Sequence, residues 1–177
     1  MATLTANSIE LSNGAKFVGT TNGLTDTPPG TIIQTAVQTS DNTITVNSDG
    51  SYTDVMSVTF TPRQSNSKII LSLMFTSYTL NSSNSNGTAY RILRDSTTIK
   101  AANWNFYLND GGYTYDFYPV TNIIDVDEPG TTSAITYKLQ GRKYSGNSAR
   151  FATQFGEAQR SSVIGDTIVI KLEELSV

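Results

Sequence analysis

The fold of this chain is decided by the stretch Thr59-Phe-Thr-Pro-Arg-Gln-Ser-Asn-Ser-Lys-Ile-Ile-Leu-Ser-Leu-Met-Phe-Thr-Ser-Tyr78. A turn rich in chain-breaking residues, from Pro62 to Ser67, leads into the longest apolar segment of the sequence. From Lys68 onward every second residue is a large apolar one, and the residues on this side are Ile69, Leu71, Leu73 and Phe75. A strict period of two with β-branched and aromatic side chains predicts a half-buried strand. We therefore expect a long strand at the centre of a β-sandwich.

The opposite side of this strand has a mixed character. Its residues are Ile70, Ser72, Met74, Thr76 and Tyr78. Hydroxyl groups alternate there with large apolar side chains, as on a surface that meets another subunit. We predict that Met74 and Tyr78 form part of a contact between subunits.

The composition excludes several classes of function. The chain of 177 residues has no Cys and no His, so thiol nucleophiles, disulfides, imidazole bases, His-ligated metals and the Ser-His-Asp triad are all absent. The net charge of −3 gives no sign of the clustered basic face that nucleic acid requires. We expect no enzyme activity, no cofactor and no nucleic-acid partner.

The sequence also bears on localisation. The first residues, Met-Ala-Thr-Leu-Thr-Ala-Asn, lack the basic and apolar regions of a signal peptide. No window approaches the roughly 20 apolar residues of a membrane span. We expect a protein that is made in the cytosol and does not insert into a membrane.

Residues 1–28 differ from the rest of the chain. Asn-Gly turns at Asn13 and Asn22 separate a few spaced apolar residues, and Thr27-Pro-Pro-Gly30 closes the segment. The apolar residues are Leu4, Ile9, Leu11, Phe17 and Val18. So few cannot enclose a core, so the segment packs on the main domain or binds another chain. We predict a short extended arm that binds another chain.

Residues 29–177 are predicted to form one all-β domain. Short alternating segments with turns between them recur throughout, and the last of them is Thr167–Leu172. Asp125–Gly130 is expected to be a tight acidic corner, Gly141–Ser148 a basic loop and Phe151–Phe155 a short strand. No stretch of ten or more residues has a convincing helical pattern. Eight to ten strands at this spacing indicate a jelly-roll-like sandwich of two sheets.

The densest aromatic region is the candidate ligand site. Sugar rings stack on exposed Trp and Tyr, and neighbouring Asn and Asp bind hydroxyl groups. The residues that this chemistry selects are Trp104, Tyr107, Asn109, Asp110, Tyr113 and Tyr115. The alternative is that these aromatic residues fill the sandwich core or a trimer axis.

Charged residues give two further candidates. Asp125, Asp127 and Glu128 suggest a glycosidase carboxylate pair, a Ca²⁺ site or an ordinary turn, and their spacing does not match the Asp-x-Asp-x-Asp-Gly calcium loop. We favour the turn and expect no metal. The basic residues are Arg91, Arg94, Arg142, Lys143 and Arg150. They would meet acidic polysaccharide or the carboxylates of a neighbouring subunit, but Arg91 and Arg94 fall on opposite faces of a strand.

A set of ordered segments carries a resemblance to a known family. The segments are Pro29-Gly-Thr-Ile-Ile-Gln34, Tyr52-Thr-Asp54, Phe60-Thr-Pro62, Ser65-Asn-Ser-Lys-Ile-Ile-Leu-Ser-Leu73, Tyr90-Arg-Ile-Leu-Arg-Asp-Ser-Thr-Thr-Ile99, Asp125-Val-Asp-Glu-Pro-Gly-Thr-Thr-Ser-Ala-Ile-Thr-Tyr-Lys138 and Asp166-Thr-Ile-Val-Ile-Lys-Leu-Glu-Glu174. Together they resemble a domain of tail-fibre and virion structural proteins of tailed bacteriophages, notably those of cyanobacteria.

The resemblance implies a trimeric jelly roll, similar to the heads of C1q and tumour-necrosis-factor proteins, displayed on a virion. We therefore expect a short phage tail fibre whose knob binds the host surface, including its glycans, or another virion protein. A capsid decoration (cement) protein needs the same plan of arm and knob and is an alternative. A polysaccharide depolymerase is the enzymatic alternative.

Overall fold

The computed structural model describes residues 8–10, 16–20, 23–24, 28–79, 86–108, 118–145, 149–152 and 167–177. All regular structure in these ranges is β. The strands are β1 (Ser8–Glu10), β2 (Lys16–Thr20), β3 (Gly23–Leu24), β4 (Ile32–Ser40), β5 (Ile44–Val46), β6 (Thr53–Phe60), β7 (Lys68–Thr79), β8 (Asn86–Arg94), β9 (Thr97–Leu108), β10 (Val120–Asp127), β11 (Ile135–Ser145), β12 (Ala149–Phe151) and β13 (Ile168–Leu175). In this part of the chain, no helix is long and apolar enough to cross a membrane.

Strand β7 lies at the centre of the larger sheet. The sheet has the order β4-β13-β7-β12-β5, and β10 pairs with the other edge of β7. One half of β7 pairs with β13, where Leu71 lies opposite Leu172, and its end pairs with β12, where Ser77 lies opposite Phe151. All pairings of β7 are antiparallel. The long central strand predicted from the sequence is therefore confirmed.

The smaller sheet completes a jelly roll. Its order is β6-β11-β8-β9, again antiparallel throughout. When β4 with β5, and β12 with β13, are each counted as one interrupted strand, there are eight strands in the two sheets. If these eight strands are numbered 1 to 8 in chain order, beginning with β4, the larger sheet has the order 1-8-3-6 and the smaller sheet has the order 2-7-4-5. This is the jelly-roll arrangement. The predicted all-β sandwich is confirmed.

The eighth strand is interrupted at Ala152. This buried residue has a φ of 55°, which is uncommon for a residue other than glycine. Its N–H donates to the carbonyl of Thr76 at 3.2 Å, and its own carbonyl accepts from the hydroxyl of Thr43 at 2.7 Å. Strand β12 spans Ala149–Phe151, so the strand predicted at Phe151–Phe155 begins earlier, and residues 153–155 of that prediction lie outside the described residues. The next described strand, β13, begins at Ile168.

The core lies between the two sheets. Ile69, Leu71, Leu73 and Phe75 are at most 3% exposed, which confirms the inward side of β7. Phe75 contacts Tyr90 edge-on, with 5.6 Å between ring centroids, and Phe151 at 5.7 Å. From the smaller sheet, β11 contributes Ile135, Tyr137 and Leu139, all at most 4% exposed.

A buried carboxylate fixes the turn before β7. Glu174 of β13 is fully buried, and its carboxylate accepts backbone N–H groups from Arg63 at 2.8 Å and from Gln64 at 3.0 Å. Hydrogen bonding of this kind is what makes a buried charged group tolerable. The predicted turn between Pro62 and Ser67 is thereby joined to the last strand.

Two local predictions are wrong. Asp125 and Asp127 lie inside β10 rather than in a tight corner. Asp has a low strand propensity, but here both carboxylates have cationic partners on other strands. The predicted basic loop from Gly141 is also strand as far as Ser145. Position 141 of β11 requires glycine because the Phe151 ring occupies the space that a side chain would take. A Cβ there would lie 2.3 Å from Phe151 Cε2.

The N-terminal strands form a separate small sheet of order β1-β2-β3. Ser8 lies opposite Val18, and Gly19 opposite Leu24. Of the predicted attachment residues, Ile9 lies in β1 and Phe17 and Val18 in β2. Leu4 and Leu11 are outside the described residues. Where the backbone is described, β1, β2 and β3 pair only with each other.

Replacement of Gly141 tests the packing of the two sheets. Gly141→Ala forces a methyl group against the buried Phe151 ring, so we expect a loss of about 1–3 kcal/mol in the free energy of unfolding, measured in urea. Gly50→Ala is the matched control, because nothing lies within 4 Å of its Cβ position. Equal effects of the two substitutions would contradict this packing.

Candidate functional site

The outer surface of the larger sheet is aliphatic. We call it the aliphatic face and define it by Ile32, Val37, Met74, Val120, Ile124 and Val126. Ile124 is 75% exposed, Val120 59% and Val126 55%. Within the described ranges, the remaining exposed large aliphatic residue is the C-terminal Val177. Exposed aliphatic side chains are therefore concentrated on one side of the sandwich.

Strand register explains why these residues point outward. Ile123 pairs with the inward Leu73, so its neighbour Ile124 lies opposite Ser72 on the outer side, and Val126 lies opposite Ile70. A sheet with only one face in the core normally carries polar residues on the other face. β10 instead places Val120, Ile124 and Val126 on the outer side, while its inward side holds one large apolar residue, Ile123. The larger sheet thus has two apolar faces, of which the core covers one.

A groove runs between β10, β7 and β13 on the aliphatic face. Its volume is about 420 Å³, and Met74, Ile124, Val169 and Lys171 line it. Lys171 Nζ lies 2.8 Å from Glu173 Oε1, so the charges beside the groove are paired with each other. The surface is therefore apolar and locally neutral.

The two predicted interface residues lie in different environments. Met74 is 40% exposed in the groove, whereas Tyr78 is only 8% exposed. The Tyr78 ring stacks on Tyr118, with 4.6 Å between centroids and 9° between planes. Little of Tyr78 is left to contact a second chain, because its own chain covers that end of β7.

The outer surface of the smaller sheet has a different chemistry. We call it the tyrosine–arginine patch and define it by Tyr52, Arg91, Tyr107, Arg142 and Tyr144. The guanidinium carbons of Arg91 and Arg142 lie 4.4 and 5.2 Å from the centroid of the Tyr52 ring. The Tyr107 and Tyr144 rings meet edge-to-face at 5.7 Å, and their side chains are 41% and 37% exposed.

The carboxylate beside this patch is held by other groups. Asp54 accepts a short hydrogen bond from Gln140 and pairs with Lys138 at 3.3 Å. The hydrogen bond from Gln140, with a smaller contribution from Lys138, holds the pKa of Asp54 below its usual range. Arg91 Nε donates to Gln140 at 2.6 Å. Neither Arg91 nor Arg142 forms an ion pair with any described residue.

The residues predicted to bind a ligand are only partly described. Tyr107 lies near the end of β9 in the patch. Trp104 is also in β9, but its side chain is outside the described part of the structure, as are Asn109, Asp110, Tyr113 and Tyr115. The sequence analysis did not select Tyr52 or Tyr144. Tyr144 could have been selected from the sequence, because Gln140, Arg142 and Tyr144 occupy alternate positions of one strand.

Basic residues that are close in the sequence lie on different surfaces of the folded chain. Arg94 points inward to Asp127 while Arg91 points outward, so the prediction that these two lie on opposite faces is confirmed. Arg142 joins Arg91 in the patch, but Lys143 follows it in the alternation and lies on the other side of β11. Arg150 is in β12, in the larger sheet.

The three acidic residues each have a different cationic partner. Asp127 pairs with Arg94 at 2.8 Å and accepts the Tyr137 hydroxyl at 2.7 Å. Asp125 pairs with Lys100 at 3.0 Å, and Glu128 with Lys68 at 3.2 Å. Among the described residues, no three Asp or Glu side chains cluster as metal ligands do. These carboxylates therefore act as structural partners.

These pairs close one edge of the sandwich. β10 belongs to the larger sheet, and Lys100 and Arg94 lie in β9 and β8 of the smaller one. Further along, Thr121 donates to Asn105 Oδ1 at 2.8 Å, and Asn105 Nδ2 donates to Ser77 Oγ at 2.9 Å. Polar contacts thus join the two sheets along the β9–β10 edge.

No protein-family model matches this chain, and no curated protein matches it. Solved structures with some similarity come from infectious bursal disease virus. The match to a chain of the T13 viral particle has a TM-score of 0.42 at 12% sequence identity. The aligned region covers 86% of this chain and 41% of the viral chain. The matches to the VP2 subviral particle and to the Gx strain each have a TM-score of 0.38 at 12% identity. Each covers 86% of this chain and 43% of the viral chain.

The chain thus spans about two fifths of the length of these viral chains. Similarity at this identity and TM-score does not assign a function, which has to be argued from the two outer faces.

Replacement of Asp127 tests the structural role of the acidic residues. Asp127→Ala leaves Arg94 and the Tyr137 hydroxyl without an acceptor, and we expect a loss of about 2–4 kcal/mol in the free energy of unfolding. Glu128→Ala is the control, because its pair with Lys68 is exposed, and we expect a change within about 0.5 kcal/mol. Similar losses for both variants would refute the distinction.

Tyr137 predicts the alkaline limit of stability. Burial, reinforced by the hydrogen bond to Asp127, raises the pKa of Tyr137 well above its ordinary value of 10.0, and burial also raises the pKa of Tyr90. The unfolded chain loses these protons near pH 10 while the folded chain retains them, so stability is complete below about pH 10 and falls above it.

Unfolding in urea at several pH values between 8 and 11.5 checks this expectation. The Tyr137→Phe variant lacks the ionising group and should lose less stability across this range than the unsubstituted protein. Parallel pH dependences for the two proteins would show that Tyr137 does not contribute.

Proposed function

We propose that this protein is a non-enzymatic virion structural protein, a short phage tail fibre whose jelly-roll domain is a homotrimeric knob. The aliphatic face is the observation that carries the proposal, because it has the character of a contact between subunits. The ordered segments that resemble phage tail-fibre domains support the place on a virion. The knob acts by binding, to the host surface or to another virion protein.

The size of the aliphatic face supports self-association. Four strands about 4.8 Å apart, with eight residues at about 3.3 Å each, give the outer face of the larger sheet an area on the order of 500 Å² in projection. The apolar side chains form part of this area, which they share with Ser72, Asn122, Lys171 and Glu173. Monomeric proteins rarely leave contiguous apolar patches larger than a few hundred Å² in water. Burial of apolar area stabilises by roughly 25 cal/mol per Å², so covering this surface would add substantially to the stability of each chain.

The charge distribution favours copies of the same chain as partners. A surface that meets itself around a symmetry axis must not repel itself. Lys171 and Glu173 on β13 neutralise each other within one chain, and Met74, Ile124 and Val126 carry no charge. A different protein that binds through opposite charges would require a net charge on this face. Neutral, flat and apolar surfaces suit a symmetric contact.

The junction between arm and knob is fixed to the sandwich. The Gly30 N–H donates to the carbonyl of Ser176 at 2.8 Å, and the Ser176 N–H donates to the carbonyl of Thr31 at 2.9 Å. The first 28 residues therefore leave the domain at a defined point beside its last strand. We propose that they attach the knob to the particle through Leu4, Ile9, Leu11, Phe17 and Val18.

The alternatives are distinguished by location and activity. A capsid decoration protein would use the same arm and knob but would be found on the capsid rather than on the tail of intact particles. A depolymerase requires acidic side chains that exchange protons, whereas Asp125, Asp127 and Glu128 are held in separate ion pairs. We expect the viscosity of host polysaccharide to stay unchanged on addition of the protein.

Replacement of Ile124 tests the proposed assembly. Ile124→Asp places a charge at the most exposed position of the aliphatic face, so we expect the trimer to become a folded monomer. The molar mass by light scattering measures assembly, and urea unfolding verifies the fold.

Thr98→Asp is the matched control, since Thr98 is exposed on β9, which like β10 is an edge strand. This variant should remain trimeric. An unsubstituted protein that is monomeric or dimeric, or an Ile124→Asp variant that remains a trimer, would overturn the proposed assembly.

A further inference from the structure

The tyrosine–arginine patch lies on the side of the sandwich opposite the aliphatic face. β11 supplies Arg142 and Tyr144, β8 supplies Arg91, and β9 supplies Tyr107, all from the smaller sheet. When copies of the chain associate through the larger sheet, this surface stays in contact with water. It is therefore open to a ligand in both the monomer and the assembly.

The first half of the patch suits a carboxylate. Arg91 and Arg142 both stack on Tyr52, which holds two planar guanidinium groups beside a single ring. Arg91 uses its Nε for Gln140, and Arg142 uses Nη1 for the carbonyl of Asp49 at 3.2 Å. Among the described residues, no carboxylate lies within ion-pair distance of either guanidinium, and the nearby Asp54 is held by Gln140 and Lys138. An arginine positioned in this way retains donors that match the two oxygens of a carboxylate.

The second half of the patch suits a sugar ring. Tyr107 and Tyr144 are perpendicular to each other and over a third exposed, so together they present aromatic surface at two orientations to solvent. Gly87 lies beside them, and a Cβ there would come within 2.5 Å of the Phe106 carbonyl oxygen and 3.4 Å of Tyr144 Cβ. The absence of a side chain at Gly87 allows β9 and Tyr144 to approach each other closely, which holds the two tyrosines together.

The two halves are separated by about the width of one sugar ring. Arg142 and Tyr144 are two residues apart in β11, which places their Cα atoms about 7 Å apart, and the register of β11 against β8 shifts just after them, between Lys143 and Ser145. We propose that the patch binds a carboxylate-bearing saccharide, with the sugar ring on Tyr107 and Tyr144 and its carboxylate at Arg91 and Arg142. This inference depends on the proposed function in one respect, namely that the patch remains exposed when the chains assemble on a particle.

The surroundings favour a saccharide over other polyanions. An acidic peptide would also need pockets for apolar side chains, whereas the exposed large aliphatic residues of the described chain lie on the aliphatic face or at Val177. Nucleic acid would need a broad basic surface, whereas this chain has a net charge of −3. Two guanidinium groups beside two exposed tyrosines match one charged sugar.

Calorimetric titration tests the proposal with two probes that carry the same chemistry, an oligogalacturonate and a sialylated oligosaccharide. We expect the protein to bind at least one of them and not its carboxyl-reduced, neutral counterpart. Arg142→Gln and Tyr144→Ala should each weaken binding about tenfold or more, because each removes one half of the site. Arg142→Lys keeps the charge but loses the planar fork, and it should weaken binding to an intermediate degree.

Lys68→Gln is the matched control, since Lys68 is an exposed cation of the larger sheet that pairs with Glu128 away from the patch. It should bind as the unsubstituted protein does. The proposal is overturned if neither probe binds, if the neutral counterpart binds equally well, or if Arg142→Gln and Tyr144→Ala retain full affinity. Equal binding of polyglutamate or of single-stranded DNA would also overturn it, because charge without sugar chemistry would then suffice.

The same titration on the Ile124→Asp variant separates this proposal from the proposed function. Undiminished affinity per chain in a monomer supports the patch as a site of its own. Loss of binding in this variant, with the fold intact, would overturn the assignment of the ligand to the smaller sheet. Whether the unsubstituted protein is a trimer on a virion is judged separately, by its molar mass and its position on intact particles.

Discussion

The pairing of β7 with strands on both of its edges is the constraint on which the rest of the structure depends. Leu71 lies opposite Leu172 of β13, and Leu73 opposite Ile123 of β10, so one register carries every inward side chain of the larger sheet. Because side chains alternate along a strand, a slip by one residue would move this whole set to the other face. Glu174 reinforces the register by joining the turn before β7 to the last strand.

The same register creates the two surfaces that define the function. It directs Met74 and Ile124 outward, so the larger sheet is apolar on its outer side as well as in the core. Covering that side with further copies of the chain would couple folding to assembly. In the smaller sheet, the register of β8 against β11 brings Arg91 opposite Gln140 and next to the row that holds Arg142. One side of the sandwich therefore suits self-association, and the other presents polar and aromatic groups to solvent.

Features encoded within one strand could be predicted from the sequence, and features that depend on contacts between distant strands could not. The inward residues of β7, from Ile69 to Phe75, follow from alternation alone. Asp125 and Asp127 were expected in a turn, since their partners Lys100 and Arg94 are some thirty residues away and are brought close only by the sandwich. The stacking of Tyr78 on Tyr118 likewise depends on tertiary packing, and so do the positions of Arg91 and Arg142 beside Tyr52.

The central claim is that the aliphatic face is buried between copies of this chain on a virion. An image of the intact particle at subunit resolution tests it most directly. The account predicts three copies around one axis, with Met74 and Ile124 of each copy buried toward that axis and the tyrosine–arginine patch facing outward. Copies that leave Met74 and Ile124 in solvent, or that meet through the smaller sheet instead, would contradict it.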